Sequence, residues 1–154
     1  MDHIDQRMDH IDLSTLPTKR VLTLEAARTL AERALETAAK KNIDNMVISV
    51  VDDGGHLIVL LRSSGAEPAA VEIGIAKART AAITRKPTKW WMEMLNSGIY
   101  AFLKMPNVTP VSGAHPIVFD GQVIGAISAA GGSFEDDNEV CSGALAMLRD
   151  GKAD

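Results

Sequence analysis

Met46-Val47-Ile48-Ser49-Val50-Val51, then Asp52-Asp53-Gly54-Gly55, then Leu57-Ile58-Val59-Leu60-Leu61-Arg62 decide how this chain folds. Two short runs of branched apolar side chains flank a cluster of turn formers. Glycine in such a cluster tolerates the positive φ that a tight reversal needs. The reading is a β-hairpin. Both of its strands are apolar on both faces, so each side of the sheet needs a cover of helices or of another subunit.

A second hairpin follows the same logic. His115-Pro116-Ile117-Val118-Phe119 and Gln122-Val123-Ile124-Gly125-Ala126-Ile127 are joined by Asp120-Gly121, a strong two-residue turn signal. Helical spacing surrounds the two hairpins. Leu24, Ala27, Leu30, Ala31, Ala34, Leu35 and Ala38 share one face of a helix over 24–41, with Thr23 as N-cap and Asn42 as stop. Pro68 opens a second helix over 68–84, which Lys86-Pro87 ends. A shorter helical piece over 88–104 carries Trp90, Trp91, Met94, Leu95, Tyr100 and Phe102. Residues 105–114, with two prolines and a glycine, read as a loop with room for a short strand. Ser133 and Asp136 form a capping pair for a last helix that runs to about Arg149, with Gly151 as its stop. The order predicts an α+β fold with one mostly antiparallel sheet flanked by helices.

Residues 1–20 read as a flexible tail, in which Met-Asp-His-Ile-Asp occurs at 1–5 and again at 8–12, and 21–154 as a single domain. A chain of 154 residues that is 46% apolar buries a core without needing a disulfide or a structural metal. Net charge is −4, with both signs interspersed, which argues against nucleic acid and against an anionic membrane surface as partners. No apolar run reaches membrane-spanning length and the N-terminus lacks an apolar signal core, so the expected compartment is the cytoplasm. The single cysteine, Cys141, lies among apolar helical neighbours and reads as a small buried residue. No metal-ligand set is expected.

No nucleotide-binding, zinc-protease or serine-hydrolase motif is present. The candidate site residues are polar groups in apolar surroundings. Lys77 either points to water or enters a cleft, where a desolvated ammonium acts as base or anchors a carboxylate. Thr80, one turn on, offers a hydroxyl to the same ligand. Arg62 at a strand end is either a surface ion-pair partner or a fork for an acid. Asp52 serves its turn or the site. His115, beside Gly113, is either structural or an acid–base group or metal ligand. Trp90 and Trp91 pack in the core or between subunits, or line a flat apolar pocket.

A family resemblance joins these pieces. Leu24-Glu25-Ala26-Ala27, Val50-Val51-Asp52-Asp53-Gly54-Gly55-His56-Leu57, Ile75-Ala76-Lys77-Ala78-Arg79-Thr80-Ala81, Ser112-Gly113-Ala114-His115-Pro116-Ile117, Val123-Ile124-Gly125-Ala126-Ile127 and Asp136-Asp137 resemble the GlcG/HbpS-like family, also called haem-degrading, over residues 22–148. The resemblance implies a profilin-like five-stranded antiparallel sheet between helical layers, homo-oligomers, and a ligand site near subunit contacts. It implies haem as a possible ligand, since some members bind it. The haem ligands differ among members, and the N-terminal histidine that one of them uses has no counterpart in this first helix. This chain also departs from the family at Gly113-Ala114-His115-Pro116 and at Ser128-Ala129-Ala130-Gly131. Two functions follow. One is binding of haem or a related tetrapyrrole. The other is an enzyme for proton transfer or hydrolytic ring opening on a small organic acid, with Lys77, His115 and Asp52 as its catalytic groups.

Overall fold

The computed structural model describes residues 12–149. The first pentapeptide, most of the second, and the stop at Gly151 lie outside them. Asp12–Arg20 is exposed but not free of the body: Lys19 bonds Asp53 at 2.8 Å, and the Arg20 guanidinium sits 5.3 Å from the Phe119 ring centre.

Helix α1 spans Leu24–Lys40. The Thr23 hydroxyl accepts from the Ala26 amide, and Asn42, at φ 57°, ends the helix by sending its amide and that of Ile43 back to the carbonyls of Ala39 and Ala38. Strands β1 (Val47–Asp52) and β2 (Leu57–Arg62) form the first hairpin. Helix α2 spans Pro68–Thr84 and α3 spans Thr88–Asn96. The helical piece expected over 88–104 is broken, because Gly98 takes φ 93° and caps α3. A short 3-10 turn, Ala101–Lys104, follows. Strands β3 (Ala114–Phe119) and β4 (Gln122–Ala130) form the second hairpin, and α4 spans Phe134–Leu145. The Ser133 hydroxyl accepts from the Asp136 amide and donates to its carboxylate, closing the start of α4.

The sheet is antiparallel throughout, in the order β2-β1-β4-β3. It has four strands among the described residues, which corrects the expected five. The remaining candidate, residues 105–113, has no amide at Pro106 or Pro110 to give to a ladder. Its polar backbone is spent on α2 instead: the Thr109 amide donates to Thr80, and the Ser112 carbonyl accepts from Lys77.

Alternation along the strands sorts the core into two sides. Met46, Ile48, Val50, Ile127 and Ala129 meet the apolar stripe of α1 and Val140, Cys141 and Ala144 of α4. Val51, Ala114 and Ala126 meet Ala78, Ala81 and Ala82 of α2. The α2 side is made of small residues, so helix and sheet approach closely. A β-carbon at Gly74 would stand 3.1 Å from the Ser49 hydroxyl. Among the described residues no helix is long and apolar enough to cross a membrane.

Candidate functional site

Lys77 falls on the stripe of α2 that faces the sheet, together with Ala70, Gly74, Ala78 and Ala81. It is 1% exposed. An ammonium at that depth is tolerated only with partners. The stem carries it past the start of β3, where Nζ donates to Asp137 Oδ2 at 2.8 Å and to the Ser112 carbonyl at 2.9 Å. Asp137 is 3% exposed, and its other oxygen accepts from the Gly132 amide at 2.9 Å. Burial pushes the Asp137 carboxyl above the usual carboxylate range, and the Lys77 charge and the Gly132 amide oppose that push.

Gly113 makes the encounter possible. Its φ is 114°, and a β-carbon there would lie 2.5 Å from Lys77 Nζ, 2.6 Å from Asp137 Cβ and 2.9 Å from the Ala129 carbonyl. No other residue fits that crossing of α2, β4 and α4. The Gly113 carbonyl accepts from the Ala129 amide and from the Cys141 thiol, which burial pushes up to about 12 and so renders inert.

Lys77 and Asp137 form the floor of a cleft of about 560 Å³. Its walls are the first turn of α2 (Glu67, Ala69, Ala70), the 109–111 segment, and Gly131, Gly132 and Phe134 at the start of α4. Ile73, Val111 and Phe134 give it apolar lips. Helix α2 has no side-chain cap; Pro68 at its start has no amide to satisfy, and the Ala70 amide donates to the Glu67 carbonyl at 3.0 Å. Two of the three Nζ–H groups of Lys77 are engaged among the described residues. The arrangement suits an acceptor group with an apolar body. A larger hollow, about 600 Å³, lies between α1 and the end of α4 beside Leu30, Arg33 and Met147, but no buried charged group reaches it.

The other expected site residues are dispersed by the fold. Thr80 supports the cleft from behind, accepting from the Thr109 amide at 2.8 Å and donating to the Ala76 carbonyl at 2.8 Å. His115 follows Ala114, which faces α2, so its ring lies on the opposite side of the sheet. There His115 Nε2 is 2.9 Å from Asn138 Oδ1, and burial moves the imidazole below its ordinary value. Lys77 and His115 thus grip adjacent residues of α4 from the two faces, and His115 does not line the cleft. Arg62 pairs with Val47, which pairs with Ala130, so it is at the cleft end of the sheet. It is exposed there on the edge strand, 3.5 Å from the Ala66 carbonyl, and is not a lining residue. Asp52 is at the other end of β1, roughly 17 Å along the strand, and its carboxylate accepts from the Gly54 and His56 amides of its own turn. Trp91 bonds Thr84 at 2.9 Å and packs on Phe102, fixing α3 to the far end of α2. Trp90 lies outside it beneath Lys86. Neither tryptophan lines the cleft.

Asp137 was not among the expected site residues. The signal was present: Asp137, Val140, Cys141 and Ala144 share one helical stripe, and an acid on an otherwise buried stripe demands a partner.

Residues 22–146 match the family model described as haem degrading protein HbpS-like. The chain is 41% identical over 115 residues to protein GlcG of Escherichia coli K12, covering 75% of this chain and 85% of that one. It is similar in structure to HbpS, with a TM-score of 0.79 and 29% identity over 88% of this chain and 96% of the other. It is likewise similar to the chain in a PduOC:haem complex, with a TM-score of 0.77 and 25% identity over 84% and 96%.

Proposed function

Since the chain belongs to the HbpS-like family, we propose that it binds a carboxylate-bearing small molecule, haem or a related tetrapyrrole, in the cleft above Lys77. The observation that carries this reading is a lysine buried to 1% exposure yet lining an open cleft with apolar lips. A flat apolar ring would lie against Ile73, Val111 and Phe134, and a propionate would pair with the Lys77 ammonium. The haem of the PduOC complex supports the ligand class for this fold.

The lining residues fit the ring and its acids better than the iron. Glu67, Thr109 and Asp137 offer oxygen, and no histidine, cysteine, methionine or tyrosine lines the cleft. Bound haem would supply redox chemistry at its iron, while this chain's own residues hold the carboxylates and exclude water from the ring. The test is titration with haem and with iron-free protoporphyrin. Comparable affinity for both, weakened about tenfold or more in Lys77→Met, is expected from the loss of a charged hydrogen bond. Binding that needs iron and ignores Lys77 would overturn the reading.

A second reading is an enzyme for proton transfer on a small organic acid. It is favoured by the contact of Lys77 with an acid whose proton affinity burial raises.

A further inference from the structure

We infer that Lys77 is a carbonyl-capturing amine, and that the cleft takes a small oxo acid as a Schiff base on its Nζ. The inference rests on the reading that the cleft accepts a carboxylate, not on the identity of that ligand as a tetrapyrrole.

Three observations converge. Lys77 is withdrawn from water on a rigid helix, 1% exposed, yet is one of the residues that line an open cleft. Its partner is a carboxyl group at 2.8 Å, within direct proton-transfer reach. Every other described lysine is intermediate or exposed, so its ammonium keeps its hydration. In a site of low polarity, moving the proton from Lys77 to Asp137 removes two opposite charges, which water would otherwise stabilise. The proton can therefore pass within the pair, across the 2.8 Å contact, when a carbonyl group is present to take up the amine. Burial of the Asp137 carboxyl works in the same direction.

The chemistry balances within the pair. The proton passes from the Lys77 ammonium to the Asp137 carboxylate. The amine lone pair forms a bond to the carbonyl carbon, and the carbonyl oxygen takes the proton from Asp137. Asp137 then removes a proton from the new ammonium and delivers it to the hydroxyl, which leaves as water while the nitrogen lone pair closes the C=N bond. The product is a protonated imine beside the Asp137 carboxylate, with charge conserved and one water released. The acid group of such a ligand is one bond from the imine carbon, so it stays beside Lys77 in the cleft, within reach of the 109–111 segment and of Gly131 and Gly132, which line it.

The test uses the full chain, glyoxylate or pyruvate as probe, cyanoborohydride as trap, and peptide mapping. The expected result is a single carboxyalkyl group on Lys77, acquired faster than on exposed lysines such as Lys40 and Lys104 and suppressed by propionate, which has the acid but no carbonyl. Asp137→Asn is expected to slow labelling of Lys77 about a hundredfold, the loss of a general acid–base group. Because that variant sacrifices a buried ion pair, the mapping of the unaltered protein is the deciding measurement. Propionate binding without any adduct at Lys77 overturns this inference and leaves the carboxylate reading standing. Label confined to surface lysines with no propionate binding overturns both.

Discussion

Lys77 Nζ and Asp137 Oδ2 meet at 2.8 Å across 60 residues of sequence, and both side chains are buried. The contact joins α2 to α4 around the start of β3 and holds the Ser112 and Gly132 backbones in the same cluster.

Breaking one side of this pair leaves the other charge buried alone. Lys77→Met or Asp137→Leu is expected to cost about 3–5 kcal/mol of stability, and the double variant to recover most of it. Urea denaturation of the three variants measures this. Additive losses in the double variant would show that the two side chains act separately.

The pH dependence has a defined sign at His115. Burial holds its folded-state value below the ordinary 6.5, with the Lys89 charge adding to the effect and the Asn138 bond opposing it. The unfolded chain therefore binds the proton more readily. The stability that neutral His115 contributes is present above its unfolded value and is lost as pH falls through its folded one. Wild-type stability is expected to fall more steeply between about pH 8 and about pH 5 than that of His115→Gln, the window set by histidine titration. Equal slopes in chemical denaturation would remove His115 as the source.

Asp120 and Gly121 take φ 49° and 72°, both left-handed, as a two-residue hairpin turn requires. A β-carbon at Gly121 meets nothing within 4 Å, so Gly121→Val isolates backbone strain from packing. The expected loss is roughly 1–3 kcal/mol. An unchanged denaturation midpoint would contradict it.

Ile99, Tyr100, Leu103 and Met105 are 44%, 63%, 53% and 45% exposed within seven residues of chain. Exposed apolar side chains gathered in one segment call for a cover, and a second copy of the chain is the expected one. Sedimentation equilibrium at micromolar concentration is expected to give a homo-oligomer, which Tyr100→Glu with Leu103→Glu weakens. Monomer alone would refute this.

Much of the fold is legible in the sequence, and it is the locally determined part. Thr23 and Ser133 cap their helices because a hydroxyl and an amide three residues on lie within reach of each other. Asp120-Gly121 turns because its backbone chemistry permits little else. The break after α3 was missed, since Gly98 sits inside an apolar pattern that continues to Phe102 and only its φ of 93° reveals the stop. The site was legible one residue at a time. Lys77, Thr80 and Gly113 could be singled out as polar or conformationally special positions, but nothing local said that Arg62, His115 and the tryptophans would be set elsewhere.

The sequence by itself determined the α+β class, the two hairpins, the caps and the buried stripes, because each depends on groups within a few residues of one another. The tertiary structure alone decided the order β2-β1-β4-β3, the side of the sheet that His115 takes, and the meeting of Lys77 with Asp137. Those relations depend on which apolar faces pack together, and a one-residue change of register reverses every side chain on a strand. A buried charge announces in sequence that it needs a partner, and only the packed chain supplies one.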